Sequence, residues 1–224
     1  MRDSERAVRQ QIIDLCLEMN RNGINQGTSG NISARHGDAM LLTPSATPYE
    51  ALTPEMIVSV PLEGDGADWS GPLKPSTEWR FHRDILRARP DAGAVVHAHP
   101  IFATTLAMTR RAIPACHYMV AVFGGTDVKC SGYARYGTEA LSREALAALD
   151  GRTGCLLANH GAITIGSDLA KAMWRMVELE TLARQYHHSL LLPGGPVILS
   201  DAEIAEVLEG FGSYGLQSRD AVAS

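Results

Sequence analysis

Hydrophobic positions along this chain follow two periods, and the changes between them mark out helices and strands. Val8, Ile12, Leu15, Cys16 and Met19 fall at helical spacing, with Asn22-Gly23 as a stop. A glycine-rich turn follows, Asn25-Gln26-Gly27-Thr28-Ser29-Gly30-Asn31. Met40-Leu41-Leu42-Thr43 and Ile57-Val58-Ser59-Val60 read as short strands, with Thr43 to Pro48 as a loop and the polar stretch Glu63 to Gly71 as a surface turn. Ser76 to Arg89 reads as a helix ended by Pro90. Val95-Val96-His97-Ala98-His99 is short and β-branched, the pattern of a buried strand, and Pro100 suits the first turn of the next helix. Thr138 opens a helix that ends near Asp150-Gly151. Two more apolar runs, Cys155-Leu156-Leu157-Ala158 and the strand Ala162-Ile163-Thr164-Ile165, flank Asn159-His160-Gly161. Ser167-Asp168 caps a long helix through Leu169, Met173, Met176, Val177 and Tyr186, and Ser200-Asp201-Ala202-Glu203 is a capping box for a last one carrying Ile204, Val207, Leu208 and Phe211. The irregular alternation of strands and helices predicts a layered α/β domain rather than a barrel, without internal repeats.

Composition narrows this picture only at a few points. The 224 residues, 45% of them apolar, suit one domain over residues 1–224. A net charge of -5 gives no reason to expect nucleic acid or an anionic membrane as partner. Cys16, Cys116, Cys130 and Cys155 sit in or beside apolar stretches without a Cys-x-x-Cys spacing, which predicts reduced thiols and a cytoplasmic protein. The N-terminal segment leads into an amphipathic helix rather than an apolar signal region, and no apolar run approaches a membrane-spanning length.

Candidate chemistry lies at the element ends. Side chains two apart on a strand share a face, so His97 and His99 can converge on one ion, with His160 as a third ligand. A polar pair at a strand end is the alternative. Gly27 to Asn31 offers backbone N–H groups and hydroxyls to an anion, or is a plain turn. Ser76 and Thr77 stand at a positive helix end suited to phosphate, or cap it in the ordinary way. Glu78 is either a general base beside a metal or a carboxylate favoured by the helix dipole. His82, one turn on, either faces Glu78 or is a packed, hydrogen-bonded histidine. Tyr118 is a candidate proton donor or a half-buried hydrogen-bonded tyrosine. A Schiff-base mechanism is less attractive, since Lys74, Lys129 and Lys171 are the only lysines and none lies in an apolar pocket pattern.

Taken in order, the segments Asn25 to Asn31, Thr43-Pro44-Ser45, Pro75 to His82, Ala94 to His99, Ile113 to Met119, Asn159-His160-Gly161 and Ser213-Tyr214-Gly215-Leu216 resemble the class II aldolase/adducin-head family, over roughly residues 5–217. The resemblance implies a three-layer α/β/α fold with a central, mostly antiparallel sheet. It implies a metal-dependent aldolase cleaving a ketose or deoxyketose 1-phosphate to dihydroxyacetone phosphate and an aldehyde. Fuculose 1-phosphate, 5-deoxyribulose 1-phosphate and 5-methylthioribulose 1-phosphate are the candidate substrates. It further implies a divalent ion, zinc before manganese or cobalt, on His97, His99, His160 and Glu78, with Glu78 also the acid/base group. Phosphate falls to Gly30, Asn31, Ser45, Ser76 and Thr77, and Tyr118 works across a subunit boundary in a homotetramer whose sites lie at interfaces. A mobile C-terminal tail from about residue 212 brings Tyr214 to the aldehyde end. There are three departures: Ala46 replaces a frequent glycine, Thr77 replaces a serine, both keeping the phosphate chemistry, and the tail after Leu216 is its own. Other sugar-phosphate chemistry of the family, as a 4-epimerase, dehydratase or decarboxylase, is the alternative, although Thr77-Glu78 stands where epimerases usually carry Ser-Asp. A non-catalytic adducin-like module sits poorly with the joint presence of His97, His99, His160 and Glu78.

Overall fold

The computed structural model describes residues 3–64 and 68–211. Tyr214 and the tail expected from about residue 212 lie outside the described residues. The chain runs α1 (Asp3–Arg21), β1 (Asn31–His36), β2 (Ala39–Leu42), β3 (Val58–Pro61), α2 (Trp79–Ala88), β4 (Ala94–Ala98), α3 (Ile101–Met108), β5 (Ile113–Pro114), β6 (Asp127–Val128), α4 (Glu139–Ala148), β7 (Gly154–Leu157), β8 (Gly161–Gly166), α5 (Leu169–Ser189) and α6 (Asp201–Phe211). Six strands form one sheet in the order β3-β2-β1-β4-β8-β7, every neighbouring pair antiparallel, while β5 and β6 make a separate two-stranded ribbon.

The sheet is the middle of three layers because both of its faces are apolar. On one face Ile32, Leu41, Val96 and Ala162 pack with Ile12 and Met19 of α1, Ala103 and Leu106 of α3, and Met176 and Leu179 of α5. On the other, Met40, Val58, Val95, Ile163 and Ile165 pack with Phe81 and Ile85 of α2 and Leu141 and Ala145 of α4. Alternation along β4 sends Val96 to the first core and Val95 to the second. His97 shares the face of Val95, next to α2, where its ring meets Phe81 edge-on with centroids 5.4 Å apart.

Several expectations are corrected. The helix expected from Ser76 begins at Trp79, so Glu78 is its N-cap residue rather than part of its first turn. The start is delayed because Ser76 turns the chain itself: its carbonyl accepts from the Trp79 N–H at 3.0 Å and its hydroxyl from the Glu78 N–H at 3.3 Å. Pro100 is likewise the extended residue before α3, not part of its first turn. Within the stretch Glu63 to Gly71, Ser70 pairs with Ser59 of β3, so its end joins the sheet edge. The caps stand where the sequence puts them. Thr138 accepts from the Leu141 N–H at 3.2 Å, Asp168 from that of Lys171 at 2.7 Å, and Ser200 and Glu203 cap each other at 2.7 and 3.3 Å. Of the last helix's apolar positions only Ile204 is buried.

Candidate active site

The antiparallel register builds the site. β1 lies against β4 with Asn31 opposite His97, and β4 against β8 with Ala98 opposite Ala162. His99 follows the end of β4, and His160 sits in the turn between β7 and β8. The three rings meet with centroids 4.8 to 5.0 Å apart, nearly perpendicular to one another, and their donor nitrogens lie within 4.8 Å. His97 is fully buried, and its Nδ1–H donates to the Ala162 carbonyl at 3.0 Å, which leaves Nε2 facing the cluster. His99 Nε2 lies 3.1 Å from His97 Nε2. The buried amide of Asn25 holds the turn beneath, its Oδ1 accepting from the His99 N–H at 3.3 Å and from the Ser29 hydroxyl at 3.0 Å.

The turn carrying His160 is fitted to its task residue by residue. Asn159 adopts a left-handed backbone (φ 54°), which asparagine tolerates better than most residues, and its side chain accepts from Arg110 at 2.7 Å. A Cβ at Gly161 would stand 2.6 Å from the Ala98 carbonyl and 2.7 Å from the His99 ring. Only glycine leaves room there for the rings to close up.

Glu78 completes the cluster. It is 5% exposed, with Oε2 3.2 Å from His97 Nε2 and Oε1 3.3 Å from His160 Nε2. Oε2 accepts from the Asn31 amide at 2.9 Å, whereas the buried Oε1 accepts no hydrogen bond. Burial pushes the Glu78 carboxyl up, but the facing His97, then His160 and the Asn31 amide outweigh it and hold the group well below the usual carboxylate range. The histidines move the other way. Burial, then the neighbouring His97, lowers His99 to about 3 and His160 to about 4, so both are neutral at physiological pH. Imidazole nitrogens gathered around a buried carboxylate with an unsatisfied oxygen form the donor set that suits a divalent cation. Leaving a charged oxygen unpaired in the interior costs about 1–3 kcal/mol or more, so the fit is energetic as well as geometric.

A cavity of about 390 Å³ opens beside the cluster. Gly30, Asn31, Ser45, Ser76 and Thr77 all line it, together with Glu78, His99 and His160. The hydroxyl-bearing loops are clamped side by side, since Ser45 N–H donates to the Lys74 carbonyl and Ser76 N–H to that of Thr43, both at 3.0 Å. A Cβ at Gly30 would lie 2.9 Å from the His97 carbonyl, so this turn too must be glycine to lie against β4. Ala46 takes a left-handed backbone (φ 49°), the physical reason a glycine suits that position. Tyr118 does not line this cavity. It starts a 3₁₀ turn, Tyr118–Phe123, and is 45% exposed.

Residues that reading the sequence passed over also line the cavity: Tyr133, Ala134 and Tyr136 on one side, and Asn159 beside His160. The available signal was two large aromatics in a glycine-bounded polar loop, Gly132 to Gly137. The Arg110 guanidinium lies over the Tyr133 ring at 5.6 Å, which ties this loop to the Asn159 turn.

A histidine cluster with a buried carboxylate, set in a three-layer α/β/α fold, is an arrangement able to hold a metal ion, and the comparisons with known proteins give the class. The family described as Class II Aldolase and Adducin N-terminal domain matches residues 10–187, and the chain belongs to it. A 5-methylthioribulose-1-phosphate/5-deoxyribulose-1-phosphate aldolase of Rhodospirillum rubrum is 49% identical over 215 residues, 96% of each chain. An L-fuculose phosphate aldolase of Escherichia coli is 48% identical over 208 residues, 93% of this chain and 95% of that one. A solved L-fuculose 1-phosphate aldolase superposes with a TM-score of 0.87 at 35% identity, over 92% of this chain and 96% of that one. Within the family the chain is therefore a class II aldolase, a lyase. No helix among the described residues is long and apolar enough to cross a membrane.

Two outcomes follow from this geometry. Gly161→Ala is expected to weaken divalent-metal affinity about 10–100-fold, read by chelator competition, because the added methyl displaces the His99 ring; unchanged affinity in a folded variant contradicts the packing described. The metal-free protein is expected to lose stability with acid. His82, His99 and His160 titrate in the native state near 3, 3 and 4 instead of 6.5, so below about 6.5 the unfolded chain binds more protons. The stability from their neutral forms is complete above about 6.5 and falls as pH drops toward about 3. A urea midpoint that does not move between about pH 7.5 and about pH 5 counts against the buried neutral histidines.

Proposed function

We propose that this aldolase cleaves a ketose 1-phosphate into dihydroxyacetone phosphate and an aldehyde, with a divalent ion held by His97, His99, His160 and Glu78. The observation that carries the reading is the single cavity that joins a hydroxyl- and amide-lined wall to a carboxylate–imidazole cluster. Zinc suits three imidazoles and a carboxylate, and manganese or cobalt are substitutes. When bound, such an ion supplies Lewis-acid stabilisation of the negative charge that develops beside the substrate carbonyl.

The chain's own residues do the rest. Gly30, Asn31, Ser45, Ser76 and Thr77 bind the phosphate and fix the three-carbon half, contributing orientation rather than charge transfer. In the condensation direction Glu78 takes a proton from the hydroxymethyl carbon of dihydroxyacetone phosphate. The electron pair left on that carbon forms the bond to the aldehyde carbon, and Tyr118 gives its proton to the resulting alkoxide. Cleavage is the reverse, with Glu78 returning the proton to carbon. Tyr118 is half exposed and does not line its own chain's cavity, which supports a role toward a neighbouring subunit of a homotetramer. Tyr133, Ala134 and Tyr136 give the cavity an apolar side. This favours an aldehyde half with a methyl or methylthio end, as in 5-deoxyribulose or 5-methylthioribulose 1-phosphate, over the more hydroxylated fuculose 1-phosphate.

Dihydroxyacetone phosphate release from these three ketose 1-phosphates, before and after chelation, tests the reading; release from none of them by metal-loaded protein overturns it. Glu78→Gln is expected to lose about 10²–10⁴-fold in both cleavage and proton exchange on dihydroxyacetone phosphate. Tyr118→Phe is expected to slow cleavage while sparing exchange, and mixing the two inactive variants should restore activity if Tyr118 crosses between subunits. Wild-type cleavage by Tyr118→Phe removes that role.

A further inference from the structure

We propose that His82, acting through Asn31, is a positioning residue that fixes one oxygen of Glu78 and leaves the other to exchange the proton. This rests on the reading of Glu78 as the acid/base group. His82 is fully buried at the face of α2 that looks onto β1, one turn beyond Glu78. Asn31 and Ser33, two apart on β1, point at it from the sheet. The Ser33 hydroxyl lies 2.8 Å from His82 Nδ1, His82 Nε2 lies 2.5 Å from Asn31 Oδ1, and Asn31 Nδ2 donates to Glu78 Oε2 at 2.9 Å.

The direction of every bond in this chain is forced. An ionised carboxylate only accepts, so the Asn31 amide must turn its NH₂ to Glu78 and its oxygen to His82. That oxygen also only accepts, so His82 must carry its proton on Nε2. His82 Nδ1 is then an acceptor, and the Ser33 hydroxyl must donate. Reversing the amide would set its oxygen against Glu78 Oε2 and strand both groups where no solvent reaches. An asparagine alone has two amide orientations of nearly equal shape; His82 selects the one that binds the carboxylate. Oε2 is held by this relay, whereas Oε1, which accepts no hydrogen bond, is the oxygen free to take the substrate proton. The same arrangement leaves Asn31 one further N–H for the phosphate side of the cavity that it lines.

Long-range ¹H–¹⁵N correlation of the histidine rings in metal-free wild-type protein tests the forced direction without any turnover. The Nε2–H tautomer at His82, assigned by loss of its signals in His82→Gln, is expected; the Nδ1–H tautomer overturns the proposal. A kinetic cycle tests the consequence. His82→Leu is expected to lower kcat for proton exchange on dihydroxyacetone phosphate about tenfold with little change in KM, and to add nothing in an Asn31→Ala background. His82→Gln, which keeps a donor near the Nε2 position, is expected to recover most of the loss. Independent, multiplying losses from His82→Leu and Asn31→Ala overturn the proposal, as does a His82→Leu enzyme with wild-type kcat. If His82→Leu does not fold, the wild-type tautomer and the His82→Gln rates still decide. Failure of the underlying reading is separate: Glu78→Gln would then exchange normally while the tautomer stayed as expected.

Discussion

Glu78 carries a negative charge at 5% exposure, and the rest of the site is arranged around the expense of keeping it there. Transfer of a lone carboxylate into a protein interior costs several kcal/mol, enough to erase much of a domain's net stability. Three partners offset it here. Two imidazole nitrogens stand 3.2 and 3.3 Å away, and a buried amide donates at 2.9 Å. Burial alone would push the carboxyl toward its neutral form; the facing His97, then His160 and the Asn31 amide, reverse that and keep it ionised. The balance depends on short distances between these groups, and much of the surrounding structure holds them in place.

Sheet register supplies most of that precision. Because Asn31 of β1 sits opposite His97 of β4, a one-residue slip would turn Asn31 and Ser33 to the α1 side and leave His82 and Glu78 without their partners. The slip is opposed by both cores at once, since Ile32 and Val96 belong to one and Val95 to the other. Packing therefore sets the polar site at no separate cost. Polar residues at Asn31, Ser33 and His82 occupy places that a uniform apolar core would fill, and they are tolerated because each is hydrogen-bonded.

That exchange also explains what was legible in the sequence. Helices with helically spaced apolar positions, such as α1 and the Asp168-capped α5, stand where the pattern puts them. The His97/His99 spacing and the apolar run that leads into His160 likewise announced convergence. β1 escaped notice because Asn31, Ser33 and Arg35 alternate with Ile32 and Ala34, a pattern that looks like a solvent-facing edge, yet Asn31 and Ser33 are buried in the middle of the sheet. Only the partners on α2 make sense of that burial, and those partners are 47 to 51 residues away. The start of α2 was misplaced by three residues because Ser76, which looks like a cap, uses its hydroxyl and carbonyl to shape a turn that delivers Glu78 instead. Tyr133 and Tyr136 were invisible for a different reason: a loop has no period to read, and their part in the cavity depends on where Arg110 and the Asn159 turn hold them.

The two sides of the cavity are built by different means, and this bears on how such a site can change its substrate. The hydroxyl and amide wall is locked to the sheet by paired backbone bonds between Thr43–Ser45 and Lys74–Ser76, and by Gly30 pressed against β4. Substitution of Gly30, Asn31 or Ser76 there disturbs the core or the cluster. The tyrosine side rests on the surface of a loop, with rings largely in contact with solvent in the isolated chain. Side chains there can be exchanged without touching the carboxylate or the imidazoles. The hydroxyl and amide wall is thereby tied to stability, while the tyrosine side is not. Relatives of nearly equal identity, 49% and 48%, carry different names, a 5-methylthioribulose-1-phosphate/5-deoxyribulose-1-phosphate aldolase and an L-fuculose phosphate aldolase. Identity averaged over the whole chain does not separate the two, and exchange of a few side chains on one surface loop would leave that average almost unchanged.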